Sequence, residues 1–134
     1  MLFGQEHVQR YRETDGDVGH EWQPGVYTLL LTTTGRRSGN PFTTPLIYGR
    51  DGDAYVVVAS KGGDSSHPDW YFNLTAEPEV EIQVGSAIAP AIAHDAAGAE
   101  RTRLWELMAA IWPQYRDYAE KTEREIPVVV LTPR

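Results

Sequence analysis

Residues 26–33 read VYTLLLTT, with apolar side chains on neighbouring rather than alternate positions. A strand built from them has no face to give to water, so it belongs in a sheet covered on both sides or curled into a barrel. Two further runs, residues 42–50 and 53–60, flank Asp51-Gly52, a dipeptide that supplies positive φ in tight hairpins, and are expected to pair antiparallel. Residues 80–84, VEIQV, are apolar at alternate positions. After Gly85-Ser86, residues 87–94 form the expected hairpin partner, against which Pro90 counts by removing a ladder donor. A short apolar strand, residues 128–131, follows Pro127.

Helices fit between these strands. Over residues 98–111, Leu104, Leu107, Met108 and Ile111 fall on one stripe. Residues 113–121 open on proline, favoured in a first turn, and carry Tyr115 and Tyr118 on one face. Another helix is expected to begin near Ser66-His67-Pro68, with Ser66 or His67 as cap and Pro68 as the first helical residue. Residues 2–13 suit a further helix. Mostly antiparallel strands with interspersed helices predict an α+β domain, a small barrel flanked by helices. The expected division is an N-terminal segment, residues 1–24, and a barrel domain, residues 25–134.

With no cysteine, the chain can form neither a disulfide, a thiolate nucleophile nor an iron–sulfur cluster. His7, His20, His67 and His94 lack metal-ligand spacing, so no metal is expected. A net charge of −7 disfavours nucleic acid and anionic lipid over the surface as a whole, and any anionic ligand needs a local basic patch. No apolar run approaches the roughly 20 residues of a membrane-spanning helix, and the expectation is a cytoplasmic protein.

One basic patch is Thr32-Thr33-Thr34-Gly35-Arg36-Arg37-Ser38-Gly39-Asn40, a strand end running into a glycine-bounded turn. Backbone N–H groups and guanidinium forks can hold a phosphate there, although a solvated hairpin loop reads equally well. A second candidate is Ala59-Ser60-Lys61-Gly62-Gly63, where a strand stops shortly before a helix N-terminus and paired glycines let a flat ligand approach the backbone. A Ser60–Lys61 hydrolase dyad is disfavoured, because neighbouring side chains on a strand diverge. The aromatic residues Trp70, Tyr71 and Phe72, with Trp112, Tyr115 and Tyr118, read either as core or as a pocket wall with polar tips.

Taken together, LTTTGRRSG, TTPLIYGRDGD, VVVASKGGDSSHPDWYFNL and WPQYRDYAEKTEREIPVVVL resemble, in order, the deazaflavin (coenzyme F420)-dependent nitroreductase and quinone reductase family, over about residues 25–134. The resemblance implies a split β-barrel related to the flavin-mononucleotide-binding barrels, with F420 as redox cofactor. Arg36, Arg37, Ser38 and Gly39 would hold its anionic tail, with Lys61 as a further cation beside them. Pro45, Leu46, Ile47, Val58, Ala59 and Ser60, with Asp69, Trp70, Tyr71, Phe72 and Asn73, would line the deazaflavin ring. Tyr115 would close the pocket, with Trp112 and Tyr118 toward the acceptor, and Ser60 or Tyr115 would donate a proton or hydrogen bond.

The implied reaction is hydride transfer from reduced F420 to a flat acceptor: a quinone, an unsaturated lactone or a nitro compound. A quinone acceptor would bring peripheral membrane contact, and a homodimer is a further expectation. Phe42 stands where many members carry arginine, and Ile47 and Trp112 where nitroimidazole-activating members carry tyrosine. Cofactor-tail affinity and nitro reduction therefore stay open. The alternatives are a flavin mononucleotide (FMN) oxidoreductase on the same barrel and a non-catalytic deazaflavin carrier. A nucleic-acid-binding barrel ranks last, given the acidic charge.

Overall fold

The computed structural model describes residues 2–134. In chain order the elements are α1 (Gly4–Glu13), β1 (Glu21–Gln23), β2 (Val26–Thr34), β3 (Pro41–Ile47), β4 (Gly49–Asp51), β5 (Ala54–Val58), α2 (Asp69–Ala76), β6 (Glu79–Val84), β7 (Ala87–Asp95), α3 (Gly98–Ile111), α4 (Gln114–Lys121) and β8 (Val128–Pro133). All strand pairs are antiparallel, in the order β3, β2, β6, β7, β8, β5, β4, with β1 attached to β2.

The two ends of that order are one stretch of chain. β3 pairs with β2 from Thr34↔Pro41 to Thr28↔Ile47, whereas β4 pairs with β5 from Gly49↔Val56 to Asp51↔Ala54. Only Tyr48 separates them, its N–H donating to the Tyr27 carbonyl at 3.1 Å. The sheet thereby curls back on itself as a split barrel. The expected pairing of 42–50 with 53–60 survives only at its tip, and the rest of the first run crosses to β2. Gly49 permits the bend under α3, since a Cβ there would lie 2.7 Å from Met108 Sδ.

Burial on both faces explains the uninterrupted apolar runs. Leu29, Leu31, Val57, Val129 and Leu131 point into the barrel. Their neighbours Val56, Val58, Val128 and Val130 point out beneath Leu104 and Met108 of α3, and Leu30 packs under Val8 and Tyr11 of α1. Each fully buried aliphatic side chain of this size contributes about 1.5–3 kcal/mol.

α3 has the expected bounds and stripe, with Leu104 and Met108 fully buried. α2 differs from expectation at its start: Pro68 has an extended ψ of 154° and is the residue before the helix, so neither Ser66 nor His67 caps it. β7 forms despite Pro90, whose carbonyl accepts from Arg134 N at 2.9 Å. Its missing N–H faces the same way, where the β8 ladder ends.

Candidate active site

Two adjoining chambers open between the barrel and its helices. The first, about 540 Å³, is lined by the turn Gly35, Arg36, Arg37 and Ser38, by Phe42, Thr43 and Thr44 of β3, by Gln5, and by Asp69, Trp70 and Asn73 of α2. The second, about 560 Å³, is lined by Thr44, Pro45, Leu46 and Ile47 of β3, by Val58, Ser60, Lys61 and Gly62, by Trp70, by Trp112, Tyr115 and Tyr118, and by N-terminal residues including Phe3, His7 and Trp22. Thr44 and Trp70 belong to both walls.

The first chamber is cationic at its rim, but its two arginines differ. Arg36 is tied to α2: its backbone N–H and Nη1 donate to Asn73 Oδ1 at 3.2 and 2.8 Å, its Nη2 lies 3.5 Å from Asp69 Oδ1, and its guanidinium sits 5.2 Å from the Phe72 ring centroid. Asn73 in turn donates to Thr33 Oγ1 at 3.2 Å, locking the end of β2 to the helix. Arg37 makes no ion pair or side-chain hydrogen bond among the described residues, which leaves its charge available. Ser38 Oγ accepts from Asn40 N at 3.1 Å and shapes the turn, whose Gly39 has a φ of 75°. Phe42, 54% exposed, forms an apolar lip.

The second chamber is aromatic with few polar tips. Tyr115, only 5% exposed, packs between Trp105 and Tyr118 at ring separations of 6.4 and 6.2 Å. Burial pushes its phenol well above the ordinary tyrosine value, and Tyr118 adds to the rise, so the group stays protonated. Ser60 is 9% exposed, and no described group hydrogen-bonds its hydroxyl. Lys61 lines this chamber rather than the arginine chamber, with Nζ near Ser66 Oγ and Asp64 Oδ2 at 3.4 and 3.9 Å. Ser60 and Lys61 lie beyond the end of β5, so their failure to form a dyad follows from the turn and not from strand alternation.

Several expected residues fall outside both chambers. On α2, Asp69, Trp70 and Asn73 share the lining face while Tyr71 and Phe72 point elsewhere, as a helical repeat of about 3.6 residues requires. Tyr71 instead donates to Asp95 Oδ2 at 2.5 Å, and burial, with that carboxylate, raises its phenol to about 12. Ala59 is wholly buried, and Gly39 lies past the lining residues of its turn.

The N-terminal contribution was missed from the sequence. Phe3, Trp22 and Trp112 form an aromatic ladder at 5.9 and 5.6 Å, and Trp22 Nε1 donates to the Leu2 carbonyl at 2.9 Å. Trp22 carried no signal, because the three-residue β1 that places it is too short to show periodicity. Among the described residues no three His, Asp or Glu side chains group closely enough to hold a metal ion.

Residues 3–133 match the family described as F420H(2)-dependent quinone reductase. An F420H(2)-dependent quinone reductase of Mycobacterium tuberculosis is 46% identical over 134 residues, covering 96% of this chain and 88% of that one. The chain belongs to the F420H(2)-dependent quinone reductase family. A solved F420-H2 dependent reductase is 42% identical with a TM-score of 0.73, covering 78% of this chain and 92% of that one. A second solved structure, described as a domain-swapped dimer, is 39% identical with a TM-score of 0.75 over 95% of both chains. Membership in the F420H(2)-dependent quinone reductase family makes the chain an oxidoreductase and decides between F420 and FMN in favour of F420. The family match also extends into the N-terminal helix, beyond the stretch whose motifs carried the resemblance.

Proposed function

We propose that this chain reduces a flat, apolar acceptor of the quinone class, with the cofactor lying along both chambers and the acceptor against Trp112, Tyr115 and Tyr118. The observation that carries the reading is the shared wall of Thr44 and Trp70 between a chamber whose Arg37 has no ion pair among the described residues and one lined by aromatic rings. A ligand with an anionic tail and a flat ring fits such a pair of chambers. When bound, reduced F420 supplies a hydride from its ring.

The chain's own residues bind, orient and protonate. Arg37 with the backbone of the 35–39 turn meets the negative tail, while Pro45, Leu46, Ile47, Val58 and Trp70 supply apolar contact to the ring. The Phe3, Trp22 and Trp112 ladder screens the acceptor end from water. The Ser60 hydroxyl and the Tyr115 phenol are neutral donors for an oxygen that gains negative charge. Quinones suit this donor pair, and unsaturated lactones and nitro compounds present comparable oxygens.

A fluorescence titration with F420, followed by anaerobic oxidation of reduced F420 against a naphthoquinone, a coumarin and a nitroimidazole, tests the reading. Tight binding with quinone-dependent oxidation is expected; binding without oxidation by any acceptor would indicate a carrier. Ser60→Ala should lower turnover while leaving F420 affinity close to that of the parent, and unchanged turnover would remove Ser60 from the donor role.

A further inference from the structure

The turn that presents Ser60 is built against backbone preference. β5 ends at Val58, and Lys61, Gly62 and Gly63 follow with φ of 47°, 63° and 83°. A non-glycine residue held at positive φ costs of order 1–3 kcal/mol, and it persists only where the surroundings over-determine it. Here α4 packs against the turn at Gly63, and one side chain ties its backbone carbonyls together. Arg124, on the loop between α4 and β8, donates from Nη1 to the Ala59 carbonyl at 3.2 Å and to His67 Nδ1 at 2.9 Å. Its Nη2 donates to the Ser60 carbonyl at 2.6 Å and its Nε to the Asp64 carbonyl at 2.8 Å.

Both limbs of the turn are thus tied to a single planar group. Burial and the neighbouring Arg124 charge hold His67 below its ordinary value, against the pull of Asp95. The lowered value favours the neutral ring, and because a guanidinium only donates, Nδ1 is the accepting nitrogen. Arg124 itself lies outside both chambers and lines a separate recess with Arg101, Trp105 and Glu125.

We propose that Arg124 is a positioning residue for the reaction: it fixes the backbone of residues 59–64 so that the Ser60 hydroxyl and Gly62 face the aromatic chamber, without touching cofactor or acceptor. The proposal rests on the reading of Ser60 as a ligand-facing donor. Lysine cannot replace Arg124, because four acceptors spread around a plane need the guanidinium fork and an ammonium is a point donor.

The test compares the parent, Arg124→Ala and Arg124→Lys below their melting temperatures, with and without millimolar guanidinium ion. For both variants kcat is expected to fall roughly 10–100-fold, the scale of a misplaced reacting group, with the F420 Kd changing less. Guanidinium should restore much of kcat in Arg124→Ala, which has room for it, and not in Arg124→Lys. A kcat within twofold of the parent, or a guanidinium effect on melting temperature without one on kcat, overturns the proposal.

Amide hydrogen exchange at Ala59, Gly63 and Asp64 gives a readout that needs no cofactor. Their N–H groups bond to the carbonyls of Pro127, Ser60 and Lys61, and exchange should quicken in Arg124→Ala and slow again with guanidinium. A parent that fails to bind F420 defeats the functional reading, whereas unchanged exchange in Arg124→Ala defeats the clamp.

Discussion

Arg36 and Arg37 are adjacent and both exposed, yet their surroundings assign them different work. Arg36 spends its donors on Asn73 and Asp69 and holds the turn on α2, whereas Arg37 makes no ion pair or side-chain hydrogen bond among the described residues and is the arginine proposed to meet the cofactor tail. Arg37→Ala should therefore weaken F420 binding roughly 10–100-fold, the worth of one charge-assisted hydrogen bond, with an unchanged melting temperature. Arg36→Ala should lower both; a fluorescence titration beside a thermal melt separates the two, and equal melting losses would refute the division. Tyr115 makes a second prediction. An ordinary tyrosine ionises near pH 10, and burial lifts this one higher, so the donor persists through that range. The rate profile of the parent should show no loss assignable to Tyr115 near pH 10, and Tyr115→Phe should lower kcat about 10–100-fold at every pH. A basic limb near pH 10 that disappears in Tyr115→Phe would count against the neutral-donor role.

Among the elements, the turn between β5 and α2 is held from two directions, by Arg124 and by the close approach of α4. A Cβ on Gly63, whose φ is 83°, would lie 2.7 Å from the Tyr118 carbonyl oxygen and 3.0 Å from its Cα. Backbone cannot move aside as a flexible side chain would. Gly63→Ala should cost about 1–3 kcal/mol in urea denaturation from conformational strain alone, and it should also displace Tyr118 from the chamber, raising the KM for the acceptor. A stable variant with parental KM would show that α4 adjusts freely. The bend at Gly49 is the other element that decides the site, because it sends residues 41–47 to β2 and places Thr44 to Ile47 along both chambers.

At the scale of the molecule, α1 is part of the site as well as of the core. The Tyr11 phenol donates to the Thr28 and Gln83 carbonyls at 3.0 and 3.4 Å and accepts from Gly85 N at 2.7 Å, while Val8 and Tyr11 cover Leu30. Beyond it, Phe3 remains 66% exposed at the edge of the aromatic ladder. We propose that residues 2–24 fold together with the barrel. Deleting residues 1–13 should lower the melting temperature and raise the KM for the acceptor, and a truncated chain with parental values for both would make the segment a separate appendage. No helix among the described residues is long and apolar enough to cross a membrane. Sedimentation at micromolar concentration tests the homodimer expected from the sequence.

Local chemistry made much of this legible in the sequence. The apolar run 26–33 demanded burial on both faces, the stripe from Leu104 to Ile111 marked α3, and four ordered motifs pointed to the cofactor. What periodicity cannot carry is direction and distance. The Ser66-His67-Pro68 signal marked a helix start, but only packing against β2 and the 35–40 turn selected Trp70 and Asn73 for the chambers and turned Tyr71 toward Asp95. Arg124, Trp22 and the crossing at Gly49 were silent for the same reason: each acts through partners roughly 60 or more residues away in the chain, or, for Trp22, through contact with Trp112. The sequence by itself determined which segments must be buried and which chemistry they carry; the tertiary structure alone decided which side chains meet, because closing the barrel brings together residues that no local pattern relates.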